Sequence, residues 1–457
     1  MTAHSPPVDR ARLARLLELE RRAFTERNPR SRALFDLSKK TLLNGVPMSW
    51  MSCWPGGYPV FVASAKDASI TDVDGHTYVD FCLGDTGAFA GHSPGPTARA
   101  VQAQYTRGAT TMLPTEDAAW VGAELARRFG LPVWQFSLTA TDANRWALRL
   151  ARWLTGRAKV LVFNGCYHGT VDEAGISLDE AGRATPGPGN VGPAIDPTET
   201  TEVIEFNDIQ ALKRALRPRT IACVLTEPVL TNAAGIIPPL TGYHDALREL
   251  TADTGTYLVI DETQTFPAGP GGYTGSHGLR PDFLTTGKAI AGGVPLGAFG
   301  MRREVADAIV EAKLDMGDTG AFGGTLAGNA LSLAAARATL AEVFTDVAHR
   351  RMNALASRLV DGLRDIIAAH GLPWHVVQIG ARLEYRYSSR PARNATESAR
   401  YKDQELDSFL HLYLLNRGIL ITPFHNMALM SPATREADID HHTQVFAAAT
   451  EQLLNSS

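Results

Sequence analysis

The sequence predicts an α/β fold: a large domain built on a mostly parallel seven-stranded sheet, followed by a smaller α+β domain. Three observations carry this. From about residue 95 to 300, short apolar runs alternate with helical stretches, the pattern of strands joined by crossover helices. Runs such as Tyr257-Leu-Val-Ile-Asp261 read as buried strands that end in a polar residue. After residue 303 helices dominate, with only isolated strand-like runs between them.

In chain order, residues 8–43 read as two amphipathic helices broken near Asn28-Pro29. Leu13, Leu16, Leu17 and Leu19 recur among Arg and Glu at roughly helical spacing. Residues 44–64 are irregular and aromatic, with Met48, Trp50, Met51, Trp54, Tyr58 and Phe61. Such a strip is expected to pack on a core, a partner subunit or a substrate. Thr71–Asp80 reads as a β-hairpin around Asp74-Gly75. Strands are predicted at 133–138, 159–164, 203–207, 221–226, 257–261, 283–286 and 296–302, and a long surface loop at 180–198. Helices follow at 303–314, 327–345 and 347–370, then a strand-like stretch at 376–387 and a helix at 402–417. Leu420-Ile-Thr-Pro423 reads as a strand. The last helix, 436–454, opens with Glu436 and Asp438, which suit a helix N-terminus. The expected domains are therefore 1–70 (N-terminal helices and irregular segment, belonging to the small domain or a dimer contact), 71–330 and 331–457.

The 457 residues are 44% hydrophobic and 20% charged, ordinary values for a globular protein with a large core. A net charge of −4 gives no basic field for nucleic acid or an anionic membrane. Cys53, Cys82, Cys166 and Cys223 form no C-x-x-C pair, so reduced thiols in a cytoplasmic protein are expected, with no metal site. The opening Met-Thr-Ala-His-Ser-Pro-Pro has no apolar run, and a signal peptide is not expected. No apolar run approaches the roughly 20 residues of a membrane span.

Five separated segments carry chemistry. Lys288, in Thr286-Gly-Lys288, follows a strand 27 residues after Asp261, which ends another. A lysine and an acid at two strand ends suit pyridoxal 5'-phosphate (PLP): the amine forms a Schiff base and the carboxylate pairs with the pyridinium nitrogen. Singly, each is equally a solvated loop residue or a helix cap. In Phe136–Arg152 a strand turns into a long helix that would open at Ala140 and Thr141. Their amides and the helix dipole offer a phosphate seat, although alone this is an ordinary capped helix. Tyr167 and His168 follow a strand in Asn164-Gly-Cys-Tyr-His-Gly169; Tyr167 would stack on a planar cofactor, or simply pack as a loop. Glu227 ends Cys223–Glu227 before a proline and is otherwise a structural ion-pair partner. Gly323-Gly-Thr-Leu-Ala-Gly-Asn-Ala330 is a small-residue turn whose Thr325 would donate to a phosphate or cap a helix.

In this order the segments closely resemble the class III aminotransferases, a fold-type I PLP family. That family shows a Ser-Gly-Thr-Glu-Ala turn, Tyr-His-Gly, Glu-Pro, Asp-Glu-Val-Gln-Thr-Gly, Gly-Lys and Gly-Thr-x-x-Gly-Asn-Pro. The resemblance spans about residues 60–450, including Asp72–Gly75, Asp80-Phe81 and Gly91-His92. Its subgroup looks like the glutamate-1-semialdehyde aminomutases and the β-amino-acid or amine transaminases. The resemblance implies that Lys288 is the aldimine lysine and proton shuttle, and that Asp261 keeps the pyridine nitrogen protonated. It places Ala140 and Thr141 on the phosphate, Tyr167 on the ring beside His168, Gln264 near the phenolic oxygen, and Glu227 near the substrate. Thr325 would reach the phosphate of the other subunit, so a homodimer with shared sites is implied. An amine donor and a carbonyl acceptor would react in turn, by a ping-pong transamination. An aminomutase is the alternative, and a PLP-fold binding protein without turnover a more distant one. A P-loop is excluded, because Gly287-Lys288 lacks the upstream glycine and the following Ser or Thr.

There are departures from the family pattern. The phosphate turn reads Thr139-Ala-Thr-Asp-Ala143, with Ala for Gly and Asp for Glu. Thr263 replaces a valine, Phe266 a glycine and Ala330 a proline. The segment Gly45–Trp54 has no Arg, where the aminomutase and β-amino-acid branches often carry one for a carboxylate. This favours a substrate with an apolar or aromatic arm. Arg382 or Arg386 would be an alternative clamp and His425 another anion contact, although Arg382, Glu384 and Arg386 alternate as on a solvated face.

Overall fold

The run Ile221-Ala-Cys-Val-Leu-Thr226 has no side to offer solvent, and all of it is buried. Strands of this kind need cover on both faces. The structure, a computed structural model, describes residues 8–232, 235–314 and 320–454. The stretch 1–7, on which the expectation about a signal peptide rests, lies outside them. The chain divides into two compact units. One comprises 95–346 with 392–399, the other the residues up to 94, 347–391 and those from 400 onward. Among the described residues no helix is long and apolar enough to cross a membrane.

In the larger unit the seven predicted strands form one sheet. They are β1 Val133–Ser137, β2 Lys159–Phe163, β3 Thr201–Ile204, β4 Ile221–Thr226, β5 Tyr257–Asp261, β6 Phe283–Thr286 and β7 Gly297–Met301. Their order is β1-β7-β6-β5-β4-β2-β3. Neighbours from β6 across to β3 pair in parallel, while β7 runs antiparallel to both β6 and β1. The strand expected at 203–207 sits earlier, because Asp208 caps the helix Ile209–Leu216 by accepting from the Ala211 amide.

Side chains leave each strand alternately to two cores. Val160 and Val162 join Trp146, Leu150, Leu225 and Phe283 on one face. Leu161 and Phe163 join Phe206, Leu212, Val224 and Ile260 on the other. The helix Ala140–Thr155 follows β1 and buries Ala143, Ala147, Leu150 and Ala151 at helical spacing. Gly156, at φ 67°, ends it in the left-handed region that glycine adopts at little cost. The helix expected at 303–314 ends at Glu311. The one expected at 327–345 is Ala330–Ala338, extended by a wider turn over Thr339–Val343. The loop expected at 180–198 is largely irregular, but Ala184–Pro186 pairs with Ile176–Leu178.

In the smaller unit the first two helices are Arg10–Arg27 and Pro29–Ser38, broken at Asn28 as predicted. Val62–Lys66, Ser69–Asp72 and Thr77–Asp80 form an antiparallel set, and Ile419–Leu420 adds in parallel to the last. That pairing places 71–94 with the C-terminal residues. The division therefore falls at 94/95 and 346/347, rather than at the expected 70/71 and 330/331. The single strand expected at 376–387 is a hairpin of His375–Ile379 and Arg382–Arg386, turned at Gly380 with φ 59°. Met427–Leu429 pairs on its other side. Arg382–Arg386 is thus a central strand, and Arg382 and Glu384 are fully buried, not on a solvated face. Arg386 Nη1 lies 3.5 Å from Glu384 Oε1. Burial lowers the pKa of His425 to about 4, which keeps its ring neutral near pH 7. In the segment 45–54, Met48, Trp50 and Met51 are exposed within this unit, and Trp50 packs at a tilt on Phe424.

Candidate active site

Asp261 is the last residue of β5, and its register partner on β6 is Thr285. Lys288 follows β6 across Gly287. Parallel pairing therefore brings an acid and a lysine from distant positions to the same end of the sheet. The loops after β1, β2 and β4 emerge at that end too, the usual ligand edge of such a sheet. Lys288 is half-buried and has φ 48°. A residue with a Cβ held in left-handed space costs about 1 kcal/mol, and outliers of this kind gather at functional sites.

Asp261 is buried and densely bonded. His168 Nδ1 lies 2.9 Å from its Oδ2. Asn144 Nδ2 donates to the same oxygen at 2.8 Å. The Thr263 amide donates to Oδ1 at 2.9 Å. Burial alone would raise the Asp261 pKa, but the bond and charge of His168, with Thr263, outweigh it and hold the carboxylate below its usual range. Burial likewise disfavours a charged His168. Cys166 and Asp261 reverse that, and the imidazole pKa is held well above its ordinary value. The result is a buried anion, already oriented, at the foot of the site.

The other end is the N-terminus of Ala140–Thr155. Its first amides, at Ala140 and Thr141, have no carbonyl one turn back within the helix. Thr139 caps the helix by accepting from the Asp142 amide at 3.2 Å. Two glycines rim this end. A Cβ on Gly169 would lie 2.0 Å from Thr141 Oγ1, and one on Gly287 3.0 Å from the Ala140 Cβ. A side chain at either place would crowd the open helix end. A half-buried lysine, a buried ionised carboxylate and a glycine-rimmed helix N-terminus fit the amine, pyridine-nitrogen and phosphate contacts of PLP.

Tyr167 is half-buried in the loop after β2, and its amide donates to Glu227 Oε1 at 3.3 Å. Glu227 Oε2 accepts from the Thr231 amide at 3.1 Å and from the Thr231 hydroxyl. Glu227 therefore ties the loop after β4 to the loop after β2. Gln264 is buried three residues beyond Asp261. Thr325 stands apart: it is exposed, after Gly323 and Gly324 at φ 126° and 150°. Among the described residues no group of His, Cys, Asp or Glu is placed to hold a metal ion.

Sequence reasoning missed Asn144 and Thr285. Thr285 Oγ1 donates to Asn144 Oδ1 at 2.6 Å. The available signal was a polar residue on the apolar side of an amphipathic helix, since Asn144 lies between buried Ala143 and Trp146.

A family model described as aminotransferase class-III matches residues 52–449. A glutamate-1-semialdehyde 2,1-aminomutase of Anaeromyxobacter sp. (strain Fw109-5) is 33% identical over 405 residues, 86% of this chain and 91% of that protein. The crystal structure of a glutamate-1-semialdehyde aminomutase from Pseudomonas aeruginosa PAO1 superposes with a TM-score of 0.95 at 49% identity, covering 98% of this chain and 100% of that one. A lysine-to-alanine variant of that protein has been solved in complex with PMP. An omega-transaminase from Sphaerobacter thermophilus superposes with a TM-score of 0.86 at 27% identity, covering 93% of this chain and 98% of that one.

Proposed function

The chain belongs to the class III aminotransferases, PLP enzymes of fold-type I, and from that premise we propose that it is a transaminase. It would move an amino group from an amine or amino acid, β-amino acids included, to a keto acid or aldehyde. Lys288 would hold the cofactor's aldehyde carbon and Asp261 its pyridine nitrogen. Ala140 and Thr141 would seat the phosphate, Tyr167 would cover the ring above the buried His168, and Gln264 would lie near the phenolic oxygen. When bound, PLP supplies an aldehyde for condensation with amines and a ring that withdraws electrons from the adjacent carbon. The Lys288 amine would take the proton from the donor's α-carbon and redeliver it. Asp261, held ionised by His168, would keep a proton on the pyridine nitrogen. Glu227 would fix the backbone of Tyr167. Thr325 would serve the phosphate bound in a second copy of the chain, which makes the proposed active unit a homodimer.

The observation that carries substrate choice is the segment 45–54. It contains no Arg and exposes Met48, Trp50 and Met51 within its unit. Related enzymes often carry an Arg for a carboxylate in this segment, and its absence favours an apolar or aromatic arm over a dicarboxylate. A second reading, an aminomutase acting within one molecule, is supported by the names of relatives up to 49% identical. Half-reactions of the loaded enzyme with an aryl-alkyl amine, a β-amino acid, glutamate and glutamate-1-semialdehyde separate the two. The transaminase reading expects the amine or β-amino acid to discharge the cofactor fastest. Rapid isomerisation of glutamate-1-semialdehyde, with the amine inert, would establish the aminomutase instead.

A further inference from the structure

Asn144 lies 1% exposed and Thr285 fully buried. Asn144 Nδ2 reaches two atoms: Asp261 Oδ2 at 2.8 Å and the His168 carbonyl oxygen at 3.1 Å. A carbonyl only accepts, so the nitrogen end of the amide must face this pair. The other end, Oδ1, only accepts, so the Thr285 hydroxyl must donate to it. Both ends of this amide are thereby assigned. Thr285 is itself fixed, because its carbonyl accepts from the Glu262 amide at 2.8 Å, one residue past Asp261.

From this chain we infer that Asn144, oriented by Thr285, is a positioning residue for Asp261: it holds the carboxylate in the rotamer and charge state that keep a proton on the cofactor's pyridine nitrogen. The inference rests on the pairing of Asp261 with that nitrogen proposed above. The Asn144 amide offers Asp261 a donor that cannot leave as a proton, unlike the ring N–H of His168. With Asn144 in place, Oδ2 receives two donors and is disfavoured as the protonated oxygen. Without it, Oδ2 relies on His168 alone, and the carboxylate gains freedom to turn from the ring.

The test uses holoenzyme loaded with PLP labelled with 15N in the pyridine ring. Solid-state 15N spectra are compared for wild type, Asn144→Ala, Thr285→Val, Thr285→Ser and Asp261→Asn. Asp261→Asn is expected to move the resonance toward that of an unprotonated pyridine. Asn144→Ala and Thr285→Val are expected to move it in the same direction, with kcat falling about tenfold, the size of one hydrogen bond to a charged group. Thr285→Ser keeps the hydroxyl and is expected to retain the wild-type resonance. Thr285→Val is nearly isosteric and carries the test if Asn144→Ala loads poorly. Wild-type resonances in both Asn144→Ala and Thr285→Val, with Asp261→Asn shifted, would overturn the role of Asn144 alone. A wild-type resonance in Asp261→Asn as well would overturn both that role and the assignment of Asp261.

Discussion

His168 Nδ1 lies 2.9 Å from Asp261 Oδ2, joining the loop after β2 to the end of β5 through a buried ion pair. Each partner shifts the other toward its charged form: the carboxylate pKa is lowered and the imidazole pKa is raised. The pair fixes both the charge at the foot of the site and the loop that carries Tyr167.

This pair gives stability a defined pH window. The depressed carboxylate contributes fully above the ordinary Asp pKa near 4, and that contribution is lost as pH falls through the lowered value. The raised imidazole contributes fully below the ordinary His pKa near 6.5, and that contribution is lost only as pH rises through the elevated value. Thermal unfolding of wild type and His168→Phe should therefore differ across the neutral range and converge only well above it. Convergence near pH 6.5 would mean that the imidazole is not held charged by Asp261.

Lys288→Ala should abolish multiple turnover while the fold and some PLP binding persist, because among the described residues no other lysine stands at this strand end. Circular dichroism, cofactor absorbance and steady-state transamination check the three parts. Wild-type turnover would assign the amine to another residue.

Asp261→Asn keeps the side-chain shape and removes the charge. A loss of about two decades or more in kcat is expected, as for other oriented charges in active sites. A rate within a few-fold of wild type would mean that the carboxylate does not serve the reacting ring.

Thr325 is exposed and outside the Asp261 network. The proposed two-fold dimer with composite sites would account for this. Sedimentation at assay concentrations should give a dimer, and Thr325→Val should weaken PLP retention without changing the dimer. A fully active monomer would remove the shared-site arrangement.

The larger unit was legible because buried strands announce themselves. Ile221–Thr226 and Tyr257–Asp261 were bounded to the residue, since both are apolar and end at polar groups. The hairpin at 375–386 was not, because its turn at Gly380-Ala381 carries no strong turn pair and both arms read as one extended run. The burial of Arg382 and Glu384 was hidden for a related reason. Alternating charges look solvated unless the strand is known to be paired on both sides. In the site, Lys288 and Asp261 were legible from their places after strands. Asn144 and Thr285 were not, since their meeting depends on how the helix after β1 packs across β5 and β6.

The central claim is that Lys288 carries the cofactor at the end of β6. Borohydride reduction of the PLP-loaded protein, followed by digestion and peptide mass mapping, tests it most directly. A pyridoxyl group fixed on Lys288, and absent from the Lys288→Ala protein, is the predicted result. A label on a different lysine, or none at all in a protein that retains PLP, would contradict it.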